Sequence, residues 1–159
     1  MNPFLRRRIA AAKGDRAMFR KLTDHILVSP QITIDQVAEA KAQGVTMIVN
    51  NRPDNEEPGQ VNGAEIEAAA KAAGIAYVAV PVAHGGFAPW QLDGMAAALE
   101  QAGTGKTLAY CRSGTRSTLL WALTRARAGD NGDVLAAQAA AAGYDIASVR
   151  QIMDALKAE

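Results

Sequence analysis

The chain has 159 residues, 49% of them apolar and 21% charged, which suits one domain with a core of its own. A net charge of +1 gives no global electrostatic reason to expect nucleic acid or a membrane surface as partner. The single cysteine excludes an internal disulfide and fits a reducing compartment, and the two histidines, His25 and His84, stand far apart in sequence, so neither a metal nor another cofactor is expected.

The charge is uneven along the chain. Residues 1–21 carry seven Lys/Arg (Arg6, Arg7, Arg8, Lys13, Arg16, Arg20, Lys21) against Asp15. Phe4, Leu5, Ile9, Met18 and Phe19 offer this stretch a weak apolar stripe. We read residues 1–18 as a basic N-terminal extension, at most a surface-docked helix, and residues 19–159 as a single domain. No apolar run of about 7–15 residues follows Arg6–Arg8, as a secretory leader requires, and no stretch approaches the ~20 residues of a membrane span. A cytoplasmic location without a membrane span is therefore expected.

From there strands and helices alternate. His25–Ser29 is the first strand candidate. Thr33 and Gln36 have capping-box spacing for a helix that Gly44 closes. Val45–Asn50 is a β-branched, apolar strand, and the turn formers of 50–60 make a loop. A helix over 63–74 and a strand over Ile75–Val82 follow. The loop Ala83–Pro89 then leads into a helix from about Trp90 to Ala102. Thr107–Cys111 is the next strand, with Arg116–Ala128 as its helix, and helices over 130–145 and 148–158 complete the chain. Apolar strands between helices predict an α/β fold, its largely parallel central sheet flanked by helices.

Ligands of such sheets bind beyond the carboxyl ends of the strands. Cys111 is placed there, at a strand end, with Arg112, Ser113, Gly114 and Thr115 leading to a helix N-terminus. Free N–H groups at a helix start stabilise a thiolate and any anion bound beside it. Gly114 lets successive amides converge as an anion nest, Arg116 adds a planar cationic fork, and Ser117 offers the sulfur a hydroxyl. All of these favour a reactive thiolate over a packed structural thiol. The catalytic candidates are thus Cys111 and Arg116, with Arg112, Ser113, Gly114, Thr115 and Ser117 as anion binders.

The string "AYCRSGTRSTLLW", with "ILVSPQITIDQV" and "IVNNRPDNEEPGQ", resembles the phosphatase-like domain of the β-lactamase-hydrolase-like family over about Phe19 to Ala128. Phosphatase and sulfur-transfer chemistry are both ascribed to that family. The resemblance implies a protein-tyrosine-phosphatase-like fold, Cys111 as nucleophile, and Arg116 with the loop amides as the anion site. It also raises the functional share of "NNRPDNEE": Arg52 as an anion or substrate contact, and Asp54, Glu56 or Glu57 as carboxylates that pin Arg116 or Arg112.

Two sequence features lean from phosphorus toward sulfur. Tyrosine and dual-specificity phosphatases place five residues between cysteine and arginine, whereas four stand here, and a smaller cradle suits a sulfane sulfur better than a phosphoryl group. The short loop also resembles that of rhodanese-like sulfurtransferases. A phosphatase further needs a general acid, yet the loop after Val82 has no aspartate before Asp93, which leaves His84 as its only acid. The expectation from sequence is a sulfurtransferase forming a Cys111 persulfide, with a phosphatase as the alternative and a redox-sensing thiol as the third reading. The expected partners are a small anion (thiosulfate, a persulfide or a phosphate ester) and an acceptor thiol.

Overall fold

The computed structural model describes residues 19–158. The basic extension, with its stripe of Phe4, Leu5, Ile9 and Met18, lies outside the described residues.

Strand β1 (Arg20–Thr23) opens the fold and pairs antiparallel with β2 (Ile26–Ser29), Arg20 opposite Val28. Arg20 and Lys21, the last cations of the basic run over 1–21, are therefore strand residues. They lie on an edge strand whose exposed cations leave Phe19 and Leu22 to face the core, and charge on such an edge discourages pairing with other chains. Helix α1 (Ile34–Ala42) has the expected capping box: Gln36 N–H donates to Thr33 Oγ1 at 3.2 Å, and Thr33 N–H to Gln36 Oε1 at 2.8 Å. Next come β3 (Val45–Asn50), α2 (Gly63–Ala72) and β4 (Ala76–Ala79). Strand β4 is shorter than the run Ile75–Val82 because Pro81 has no N–H to give a ladder. Val80 and Val82 still donate to Asn50 O and Asn51 O at 2.9 Å each, so the chain keeps to the end of β3 beyond the strand.

Helix α3 (Pro89–Ala102) starts with proline at its first position, where no N–H is missed. Strand β5 (Lys106–Tyr110) and helix α4 (Thr115–Arg127) flank the cysteine loop, so Cys111 stands one residue beyond the strand. Helix α5 (Gly132–Ala141) starts at an Asn131 cap, and a short 3₁₀ turn (Ala147–Val149) leads into α6 (Arg150–Ala158).

The sheet order is β1-β2-β5-β3-β4, with only β1 antiparallel. Alternate residues divide between two apolar clusters. Val28, Met47, Val49 and Ala109 face α3–α6, meeting Met95, Leu120, Leu123 and Leu135. Leu27, Ile48, Leu108 and Tyr110 face α1 and α2, meeting Val37, Ala40, Ile66 and Ala70. Helix α4 is buried on most sides, from Ser117 through Trp121 to Ala126. The cysteine loop thus hangs between a central strand and the most enclosed helix.

Candidate active site

Cys111 has no exposed surface. Its N–H donates to Ser29 O at 3.3 Å, Gln31 N–H donates to Arg112 O at 3.3 Å, and Asn51 N–H donates to Tyr110 O at 2.8 Å. The loop is therefore stitched to the ends of β2 and β3. The chain then turns at Gly114, whose φ of +92° needs glycine, and its N–H donates to Cys111 Sγ at 3.1 Å. Helix α4 starts at Thr115, so the sulfur faces the amide end of a helix. Ser113 Oγ accepts from Thr115 N–H at 3.3 Å and lies 3.0 Å from Thr115 Oγ1, closing the turn, while Gly114 O accepts from Thr118 Oγ1 at 2.8 Å. Tyr144, from the turn after α5, donates its hydroxyl to Ser113 O at 3.0 Å.

Arg116 projects from the first turn of α4 into a carboxylate fork. Its Nη1 and Nη2 donate to Glu56 Oε2 and Oε1 at 2.7 and 2.8 Å, and Nη1 also donates to Val82 O at 2.6 Å. Glu56 also accepts from Arg52 Nε at 2.9 Å. Arg52 itself is almost wholly buried, and its other nitrogens donate to Glu57 Oε1 at 2.9 Å and Gln31 Oε1 at 3.1 Å. The hydrogen bonds from Arg116, then those from Arg52, outweigh burial and hold the Glu56 carboxyl at about 2. The Arg116 pKa rises in turn, chiefly through Glu56 and against desolvation, with Cys111 adding to the rise. A fixed guanidinium beside a sulfur, facing a helix start, makes an anion cradle.

The remaining predicted residues divide by place. Arg112 is exposed and pairs with Glu57 at 3.5 Å on the rim. His84 is 89% exposed, with Nε2 4.0 Å from Glu56 Oε2, so the loop after β4 does reach the site. Asp54 serves elsewhere: its Oδ1 accepts from Gly63 N–H at 2.9 Å and caps α2, so it does not pin Arg116. Ser117 also departs from expectation. Buried in α4, it donates to Asn51 Oδ1 at 2.7 Å rather than to the sulfur, and Asn51 Nδ2 passes the link on to Val80 O at 2.9 Å. Sequence reasoning missed Asn51, Gln31 and Tyr144. The first two stand inside motif strings, where a polar residue at a strand's carboxyl end was a usable signal. Tyr144 had none. Among the described residues no group of three or more His, Cys, Asp or Glu could hold a metal ion.

A largely parallel sheet with a cysteine loop between its central strand and a buried helix defines a protein of the protein-tyrosine-phosphatase-like fold. Residues 18–128 match the family described as "Beta-lactamase hydrolase-like protein, phosphatase-like domain", and the chain belongs to that family. It is 33% identical over 103 residues to a β-lactamase hydrolase-like protein of Xylella fastidiosa, covering 65% of this chain. A relative of the same description from Agrobacterium fabrum is 31% identical over 106 residues, 67% of this chain. In each case the shared stretch is 24% of the relative's length.

Among solved structures, a candidate phosphatase of Neisseria meningitidis is similar with a TM-score of 0.74 and 31% identity, covering 88% of this chain and 98% of the other. Tk-PTP in its active form gives 0.67 at 17% identity over 89% of this chain and 97% of the other. PTPMT1 in complex with PI(5)P gives 0.69 at 12% identity over 89% and 97%. These last two show the fold alone. The comparisons support a cysteine-based, phosphatase-like enzyme and lend no support to the sulfurtransferase preferred from sequence.

Proposed function

We propose that this protein is a cysteine-dependent phosphatase acting on a small phosphate ester. The observation that carries the reading is the cradle itself: Cys111 Sγ under the Gly114 N–H, with Arg116 clamped by Glu56, on a phosphatase-like fold. In the first step the Cys111 thiolate attacks phosphorus. The S–P bond forms as the P–O bond to the alcohol breaks, and His84 protonates the departing oxygen. Loop amides and Arg116 take the charge of the equatorial oxygens. Water then attacks the phosphocysteine and gives its proton to His84, the S–P bond breaks, and inorganic phosphate leaves with the thiolate restored. Arg52 holds Glu56, so its role is to orient the clamp. Arg112 on the rim attracts the anion.

Sulfur transfer stands as a second reading because two observations favour it. Four residues, not five, separate Cys111 from Arg116, and the loop 83–88 holds no carboxylate. In this version the thiolate takes the outer sulfur of thiosulfate, sulfite leaves, and an acceptor thiol removes the sulfur from the persulfide.

One experiment weighs both. The purified protein is incubated with an aryl phosphate and, separately, with thiosulfate, while released phosphate, released sulfite and intact mass are followed. Phosphate release that disappears in Cys111→Ser is the expected result. Sulfite release with a one-sulfur mass gain on Cys111, and no phosphate turnover, would replace the phosphatase reading with the second.

A further inference from the structure

We propose that Tyr144 is a positioning residue for the nucleophile: its phenol holds the Ser113–Gly114 peptide in the orientation that aims an N–H at the Cys111 sulfur. The inference rests on the reading that Cys111 reacts as a thiolate, though not on which atom it attacks.

A peptide unit is planar and trans, so its C=O and N–H point in opposite directions. In this unit the carbonyl oxygen accepts from Tyr144 at 3.0 Å, and the amide donates to Cys111 Sγ at 3.1 Å. The two bonds are opposite ends of one plane. Rotation that broke the Tyr144 contact would swing the N–H off the sulfur and bring a partly negative carbonyl oxygen toward it. Glycine at 114 makes such a rotation sterically open, so the plane needs an outside hold.

That hold is itself built. The Tyr144 ring lies so close to Gly114 that a Cβ there would stand 2.1 Å from the phenol oxygen. Tyr144 is placed by the end of α5. Its N–H donates to Ala139 O at 2.9 Å and Gly143 N–H to Ala140 O at 2.9 Å, the paired bonds of a Schellman motif, with Gly143 at φ +91°. From the other side Arg20 spans the same turn: Nη1 donates to Ala142 O at 3.2 Å, and the guanidinium lies 5.8 Å over the Tyr144 ring. Burial, against the opposing pull of Arg20, raises the phenol pKa, so the hydroxyl remains a donor at neutral pH. An edge strand and a helix end thus both hold Tyr144, and its hydroxyl alone meets the carbonyl of the cysteine loop.

The single cysteine makes the test direct, because thiolate absorbance in the ultraviolet has one source. Tyr144→Phe removes the hydroxyl and keeps the ring. The expected result is a thiolate titration displaced upward and alkylation by iodoacetamide at mildly acid pH slowed about fivefold, the worth of one hydrogen bond. Aryl phosphate kcat should fall by a similar factor with KM held, and the thermal midpoint should move little. Tyr144→Leu, which loses the ring as well, should show the same titration shift with a larger loss of thermal stability. An unchanged titration and alkylation rate in Tyr144→Phe would overturn the inference even if the enzyme is active. A shifted titration in a protein that turns over neither phosphate ester nor thiosulfate would sink the proposed function and leave the role of Tyr144 standing.

Discussion

At the scale of single residues the site is a chain of paired charges around one thiol. Cys111→Ser should lower turnover by more than about a thousandfold while circular dichroism and thermal midpoint stay near those of the parent, since the change is nearly isosteric. Arg116→Lys keeps the charge but loses the fork that meets both oxygens of Glu56, so a drop of about a hundredfold in kcat/KM is expected. Near-parental kinetics in either variant would break the mechanism. Glu56→Gln leaves two buried or half-buried guanidinium groups facing a neutral amide and should cost about 2 kcal/mol in denaturant unfolding at neutral pH. The sign of its pH dependence follows from the depressed carboxyl. The contribution of Glu56 is complete above the ordinary value of 4.5 and is lost as pH falls through about 2. The stability gap between parent and Glu56→Gln should therefore be flat from neutrality down to about pH 5 and narrow below 4.5. A gap that widens on acidification would contradict the clamp.

At the scale of elements, local chemistry explains most boundaries. The Thr33–Gln36 capping box sets the start of α1, and Thr33→Ala should cost about 1 kcal/mol of stability, read as a lower thermal midpoint. Pro89, Asn62 and Asn131 mark other helix starts in the same way, and glycines at 44, 74 and 143 mark ends. The turn at Gly114 is of a different kind, because its positive φ serves the site and not merely a helix start. Gly114→Ala should cost at least about 2 kcal/mol, since a methyl group there meets both backbone strain and the Tyr144 phenol, and thiol alkylation should slow with it. The start of α1 and the glycines at 44 and 74 were legible because capping and turn residues act within a few positions of the chain, whereas the helix expected over 130–145 is shorter, Gly132–Ala141, held between the Asn131 cap and the turn at Gly143. Strand β1 was not legible. Arg20 and Lys21 read as part of a basic run, and only pairing with Val28 and Leu27 makes them a strand.

At the scale of the whole molecule a sheet covered on both faces places every parallel strand end on one edge, and that edge holds the cysteine loop, the Arg52 loop and the loop of His84. Trp121, 2% exposed on the inner side of α4, packs in the larger cluster, and Trp121→Ala should cost about 4 kcal/mol. Turnover measured well below the lowered thermal midpoint should persist, because the cradle hangs on β5 and the first turn of α4; its disappearance there would show that the site depends on the inner packing. The sequence by itself determined the α/β alternation, the place of Cys111 at a strand end, the four-residue step to Arg116 and the family, because these depend on periodicity, propensity and contiguous motifs. The tertiary structure alone decided which carboxylate meets which arginine, since Asp54, Glu56 and Glu57 are near-equivalent neighbours in one loop until the fold aims Glu56 at Arg116 and Asp54 at α2. It decided too that Ser117 turns to Asn51, and that Tyr144, far along the chain, meets the cysteine loop. The physical reason is reach: short-range rules act over a turn of helix or a strand, whereas the contacts of Glu56 with Arg116, Ser117 with Asn51 and Tyr144 with Ser113 join residues dozens of positions apart that only the packed sheet and helices bring together.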